Sequence, residues 1–336
     1  MNKILITGSA GFIGFHLAKT LLDQDFVVHG FDGFTDYYDV NLKKARHDIL
    51  LERSNYSYTI GMLEEQLKLD EVANKFEPQI IIHLAAQAGV RYSKENPRSY
   101  INSNIVGTFN VMEIARKLKV KHLLMASTSS VYGASTNMPF SEDENTDYPL
   151  TIYSASKKAI EAMAHSYSYL WNVPTSILRF FTVYGPWGRP DMALFKFVEA
   201  ILNNKPIDLF NYGEMSRDFT YIQDLVKAIF LLVNSIPQLD PNIKKIDCDS
   251  LSSVAPFRTI NIGNSKTVNL HDFINSIENI LKKKAVINNL PMQKGDVKKT
   301  LSDTTLLKNL TNFTPDTDYK EGISSFIDWY KDYYKI

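Results

Sequence analysis

The sequence predicts an α/β protein built on a doubly wound parallel sheet, with a smaller α/β lobe interleaved into it. Three observations lead there. Short β-branched runs alternate with amphipathic helical stretches through the first half of the 336 residues, the rhythm of parallel strands joined by crossover helices. Glycines cluster directly after the first such run. After Thr182 the rhythm breaks into GPWGRPDM, rich in Gly and Pro, and shorter elements follow.

In chain order, strands are expected over residues 4–8, 27–32, 80–86, 122–128 and 175–181, where apolar and β-branched residues run together. Helices are expected over 12–24, 67–76, 99–118 and 151–171, where apolar residues recur with helical spacing. Beyond the break, a helix near 195–203, sheet and helix over 219–233 and a strand over 259–262 follow. These elements assign a nucleotide-binding domain to residues 1–181, with return segments near 218–236 and 258–263. The smaller lobe takes 182–217 and 264–336. Residues 237–257, polar and without period, read as a loop or insertion.

Composition removes several function classes. Lys plus Arg and Asp plus Glu each number 37, so the formal net charge is zero. A general electrostatic grip on nucleic acid or an anionic membrane is therefore not expected, and a bound anion must be met by a few placed cations. The single cysteine, Cys248, cannot form an internal disulfide, and no Cys/His spacing suggests a metal site. No apolar run approaches the roughly 20 residues that cross a bilayer. The opening MNKILITGSAG reads as a strand and a turn rather than a leader, so a cytoplasmic protein is expected.

Gly8, Gly11 and Gly14 follow the first strand and open a helix. Glycine lets the backbone approach a pyrophosphate, whose charge the free amides at a helix start attract. Asp32 ends the next strand, 24 residues after Gly8, near the spacing at which a carboxylate bonds both ribose hydroxyls. Together they indicate a Rossmann-type dinucleotide site, and a carboxylate that repels a 2′-phosphate favours NAD over NADP. Tyr153 and Lys157 stand at i and i+4 at the start of a helix, so phenol and ammonium serve one site. A neighbouring cation favours the phenolate and makes Tyr153 a general base. Ser127, Thr128, Ser129 and Ser130 end a strand at the carboxyl edge of the sheet, where their hydroxyls can orient a substrate hydroxyl toward Tyr153.

In combination these residues resemble the extended short-chain dehydrogenase/reductase superfamily and, within its nucleotide-sugar branch, the UDP-glucuronate 4-epimerases. The resemblance spans nearly the whole chain. Its most specific pieces are HLAAQAGVRYS (83–93), NPRSYINSNIVGT (96–108), ASTSSVYG (126–133), YSASK (153–157), RFFTVYGPWGRPDMALFKF (179–197), RDFTYI (217–222), APFRTINIGN (255–264) and KGDV (294–297).

The resemblance implies that Thr128, Tyr153 and Lys157 form the catalytic group. It implies that NAD is held by Gly8, Gly11, Phe12, Ile13, Gly14, Asp32, Leu84, Ala85, Ala86, Gln87, Asn104 and Phe180, beside Tyr153 and Lys157. For the UDP-sugar it implies Arg189 and Arg217 on the pyrophosphate and Asp296 on the uridine ribose. From the clustering of hydroxyls, Ser129, Ser130 and Thr182 are expected to join Thr128 in holding a sugar carboxylate by neutral hydrogen bonds, without a fixed cation. Arg91 faces either a substrate phosphate or a loop carboxylate.

Related 4,6-dehydratases carry an Asp-Glu pair after the Thr, and related decarboxylases a Glu at the second of those positions; here they are Ser129 and Ser130. The implied reaction is C4 epimerisation of UDP-glucuronate to UDP-galacturonate for surface polysaccharide. The alternatives are 4-epimerisation of UDP-glucose or UDP-N-acetylglucosamine, then decarboxylation or reduction on the same scaffold, then a non-catalytic NAD-sensing protein. Met62, Gln223 and Lys294 depart from the family pattern, which usually has Asp, Asp and Pro there. In many relatives the helices at 99–118 and 151–171 form a dimer bundle, so a homodimer is expected.

Overall fold

The computed structural model describes residues 2–240 and 246–336. The chain begins with β1 (Lys3–Thr7), α1 (Phe12–Leu22), β2 (Val27–Asp32), α2 (Val40–Leu51), β3 (Tyr56–Ile60), α3 (Gln66–Phe76) and β4 (Ile80–His83). Two single-turn helices, α4 (Tyr92–Glu95) and α5 (Pro97–Tyr100), lead into a π-helical segment, Ile101–Gly107, and then α6 (Thr108–Leu118). Then come β5 (His122–Thr128), α7 (Ile152–Trp171), β6 (Thr175–Phe180) and β7 (Thr182–Tyr184). The remainder comprises α8 (Ala193–Leu202), β8 (Pro206–Phe210), β9 (Ser216–Tyr221), α9 (Ile222–Leu232), β10 (Phe257–Ile262), β11 (Thr267–Asn269), α10 (Leu270–Leu281), β12 (Val286–Leu290), α11 (Thr305–Thr311) and α12 (Tyr319–Tyr334).

Seven strands form one sheet in the order β10-β6-β5-β4-β1-β2-β3, and every neighbouring pair is parallel. β5, β6 and β10 are buried along their whole length, as strands covered on both faces must be. One face packs against α1 and α9 through Leu17, Leu21, Leu225 and Ile229. The other packs against α3, α6 and α7 through Leu69, Val111, Met112 and Ile160. A third core, with Phe195, Phe219, Phe273 and Phe326, holds the smaller lobe, where β11-β9-β7 and β12-β8 form two small sheets. No helix among the described residues is long and apolar enough to cross a membrane.

The doubly wound sheet is as the sequence predicts, with differences that have local causes. Between Asp32 and residue 67, where the sequence assigns no element, the chain forms a helix and a strand, α2 and β3. The inward face of α2 includes Lys43, Arg46 and His47, so no apolar stripe announces it. The helix expected over 99–118 is broken into α5, the π segment and α6. The strand expected over 80–86 stops at His83, and Leu84 to Gln87 leave the sheet to line the cleft. Of the expected loop at 237–257, residues 241–245 lie outside the described residues; 246–256 carry no helix or strand and lead into β10 at Phe257.

Candidate active site

A cleft of about 840 Å³ lies across the carboxyl ends of the parallel strands and reaches into the smaller lobe, the place where such sheets bind ligands. Its floor is the turn after β1. Gly8 has φ of +80°, and a Cβ there would stand 2.7 Å from the Ala85 amide nitrogen; a Cβ on Gly14 would stand 2.0 Å from the Gly8 carbonyl oxygen. Only glycine lets β1, α1 and the 84–87 segment approach this closely. Gly11 caps α1 without a side-chain bond, and the first turn holds no acidic residue. The helix start is thus left free to meet an anion.

Asp32 closes the other side of the turn. Its carboxylate accepts from the Ala10 amide at 3.0 Å and the Phe34 amide at 2.9 Å, so it is fixed with its charge at the cleft wall. Lys43 of α2, which sequence reasoning missed, lines the wall beside it and donates to the Thr35 carbonyl at 2.5 Å. Phe12, Ile13, Gly14, Leu84, Ala85, Ala86, Gln87 and Phe180 all line the cleft. Asn104 does not. It is fully buried and acts from behind, accepting from the Gln87 amide (2.8 Å) and donating to the Gln87 carbonyl (3.0 Å) and the Ser156 hydroxyl (2.9 Å). This brace joins the cofactor wall to α7, and the π turn in which Asn104 sits supplies it. The tight glycine turn, the uncapped helix start and the fixed carboxylate fit a dinucleotide.

Tyr153 enters from the first turn of α7, whose start is fixed by reciprocal bonds between Thr151 and Ser154. Burial pushes its phenol above the ordinary value, while the Thr128 hydroxyl and the Arg189 guanidinium work in the opposite direction. Asp191 acts with burial to raise it, and among the described residues no hydrogen bond joins Lys157 to the phenol. Lys157 donates instead to the Ala126 carbonyl at 2.9 Å. Burial lowers its ammonium to about 8, against the charge of Glu161 one turn further on.

Glu161 is itself held by Arg179 (2.9 and 3.1 Å) and Ser127 (2.5 Å). This buried pair joins α7 to β6, and only Glu161 continues the i, i+4 face of Tyr153 and Lys157. Thr128 caps the short turn after β5 by accepting from the Ser130 amide at 3.2 Å, and Ser129, Ser130 and Thr182 line the cleft beside it.

Two of the remaining arginines, Arg189 and Arg91, are held by carboxylates. Arg189 forks onto Asp191 at 3.0 and 2.5 Å, and Tyr37 donates to the same carboxylate at 3.1 Å. Beside the hydroxyls, the cleft wall thus contains an arginine paired with a carboxylate. Arg91 pairs with Asp296 at 3.0 Å and stacks 4.1 Å over Phe210, so it faces the loop carboxylate. Arg217 donates to the carbonyls of Ser216 (3.0 Å) and Lys298 (3.2 Å) and lines the cleft with Asp296. Of the three departures from the family pattern, Met62 lines the cleft. Gln223 contacts His16, and Lys294 offers its carbonyl to Lys94.

Behind this wall Glu142 accepts from the Asn261 amide at 2.8 Å. Desolvation raises its carboxyl from an ordinary 4.5 to about 7. The folded state thus holds the proton more tightly than the unfolded chain, so stability present below pH 4.5 is lost as pH rises through about 7. Urea midpoints measured at about pH 5 and about pH 8 are expected to fall less for Glu142→Gln than for the wild type; an equal fall refutes the assignment.

Three comparisons bear on this geometry. The model of the NAD dependent epimerase/dehydratase family matches residues 4–244. A probable UDP-glucuronate 4-epimerase of Rhizobium meliloti (strain 1021) is 51% identical over 334 residues, covering 99% of this chain and 98% of that protein. UDP-glucuronate 4-epimerase 4 of Arabidopsis thaliana is 41% identical over 336 residues, covering 98% of this chain and 76% of its own length. Among solved structures, the UDP-glucuronic acid 4-epimerase from Bacillus cereus in complex with UDP-glucuronic acid and NAD is similar with a TM-score of 0.88 and 31% identity. That likeness covers 99% of this chain and all of the other.

Proposed function

The chain belongs to the NAD dependent epimerase/dehydratase family, and from that premise we propose that it inverts C4 of UDP-glucuronate to give UDP-galacturonate. The observation that carries the reading is the convergence of Thr128, Tyr153 and Lys157 on one cleft with the glycine turn and Asp32. NAD, bound at that turn, supplies the acceptor and later the donor of one hydride.

Tyr153 takes the proton of the sugar 4-hydroxyl as the C4 hydrogen departs with its electron pair, leaving a C4 ketone. It returns the proton to the same oxygen after the hydride has come back on the opposite face. Thr128 orients that oxygen. Lys157, anchored through Ala126, places a positive charge on the cofactor side of Tyr153. Ser129, Ser130 and Thr182 reach the hexuronate carboxylate, with the Arg189–Asp191 pair beside them. Arg189 and Arg217 take the pyrophosphate and Asp296 the uridine ribose; for Asp296 this competes with the bond from Arg91.

The test is incubation of the purified protein with UDP-glucuronate and NMR of the sugar. UDP-galacturonate supports the reading. UDP-xylose instead indicates decarboxylation, and turnover of UDP-glucose or UDP-N-acetylglucosamine alone moves the substrate to a neutral sugar.

The same reading includes a cytoplasmic homodimer serving polysaccharide synthesis. What supports the dimer is apolar surface on the adjacent segments 101–118 and 152–171, where Ile101, Val106, Phe109, Leu170 and Trp171 are exposed. Light scattering is expected to give twice the chain mass for the wild type and a monomer for Phe109→Glu. A wild-type monomer overturns the dimer.

A further inference from the structure

Arg46, on the inward face of α2, is fully buried. Its four acceptors are all neutral: the Ala10 carbonyl at 3.0 Å, the Tyr38 hydroxyl at 2.8 Å, the Trp187 carbonyl at 2.7 Å and the Gly188 carbonyl at 3.3 Å. Its Nε has no partner, and the guanidinium lies 5.6 Å from the centre of the Tyr38 ring. Among the described residues it forms no ion pair. Of the ionisable groups nearby, Lys43 adds positive charge, and Arg46 disfavours the charged forms of both Lys43 and His16, whose imidazole burial lowers to about 4. The one carboxylate at the turn, Asp32, already accepts two backbone amides and attracts Lys43.

A buried guanidinium without a counter-charge costs several kcal/mol, and folds retain such groups where something compensates them. Here the location indicates what does. Arg46 donates to the carbonyl of Ala10, which with Ser9 lies between Gly8 and Gly11, so its charge sits directly behind the glycine turn. Low-dielectric protein separates it from the cleft, so its field is weakly screened. Its other nitrogen grips Trp187 and Gly188, immediately before Arg189.

We infer that Arg46 is the fixed counter-charge of the dinucleotide pyrophosphate, acting through the glycine turn from the protein side. It touches neither cofactor nor substrate and is therefore a positioning residue. It also ties the segment carrying Arg189 to the cofactor turn. The inference rests on the reading that this turn holds NAD.

The test uses full-length protein stripped of nucleotide and titrated calorimetrically with NAD, ADP and adenosine. Adenosine shares the base and ribose but lacks phosphate. Arg46→Met is expected to weaken NAD and ADP by about tenfold or more and to leave adenosine within about twofold. Arg46→Lys, which keeps the charge and loses the fork, is expected to recover most of that loss.

Equal weakening of adenosine, unchanged NAD and ADP binding, or an Arg46→Lys as weak as Arg46→Met would each overturn the inference. If Arg46→Met does not fold, the comparison of Arg46→Lys with Arg46→Gln reads the same difference. Failure of the wild type to bind NAD removes the dinucleotide reading first, and this inference with it.

Discussion

Tyr153→Phe is expected to lower kcat on UDP-glucuronate by about 10²–10⁴-fold, the usual contribution of a placed general acid–base group, with little change in KM. The ring is retained, so packing against Tyr100, 6.0 Å away between ring centres, persists, and only the hydroxyl is lost. In the proposed reaction Tyr153 accepts the proton in one half-reaction and returns it in the other, so both directions are expected to fall together. The pH dependence sharpens the test. Burial raises the phenol, opposed by Thr128 and Arg189, so wild-type activity rises toward alkaline pH until Lys157, lowered to about 8, loses its charge. Steady-state kinetics of both directions across this range decide it. A variant retaining wild-type kcat would remove Tyr153 from the chemistry.

Gly14→Ala is expected to abolish stoichiometric NAD binding and to destabilise the protein. The added Cβ would lie 2.0 Å from the Gly8 carbonyl oxygen and 3.0 Å from Ser9 Cα. All are backbone atoms, so no side chain can rotate away. Relief requires α1 to move off β1, widening the turn that meets the pyrophosphate. Overpacking of this kind costs about 1–3 kcal/mol and sometimes more. The measurements are the NAD content of the purified variant and its thermal midpoint. Full NAD occupancy with an unchanged midpoint would show that the turn is looser than its geometry implies.

What the sequence disclosed and what it withheld divide along a physical line. Glycine spacing, β-branched runs and the Tyr153–Lys157 interval are local signals, and they disclosed the parallel sheet apart from β3, whereas Leu84 to Gln87, Phe180 and Arg189 of the cleft wall came from the family resemblance. Features made by distant segments were silent. Arg91 meets Asp296 across 205 positions, and nothing in either neighbourhood indicates the other. Helix α2 escaped notice because its buried face contains polar residues whose partners lie on other segments, as Arg46 shows with Trp187 and Gly188. Asn104 was associated with the cofactor from its motif, yet its effect is exerted through Gln87 and depends on a π turn that apolar spacing does not encode.

The seventh strand of the main sheet arrives late. β10 joins β6 only after the chain has made β7, β8 and β9 in the other lobe. During synthesis, a ribosome-bound chain ending before Phe257 presents the whole flank of β6, from Thr175 to Phe180, with no neighbour on that side. Such an open, water-averse margin invites pairing with another nascent molecule. Expression of residues 1–181 alone should therefore yield aggregates, and the two lobes are best regarded as one folding unit whose last stitch is sewn from far downstream.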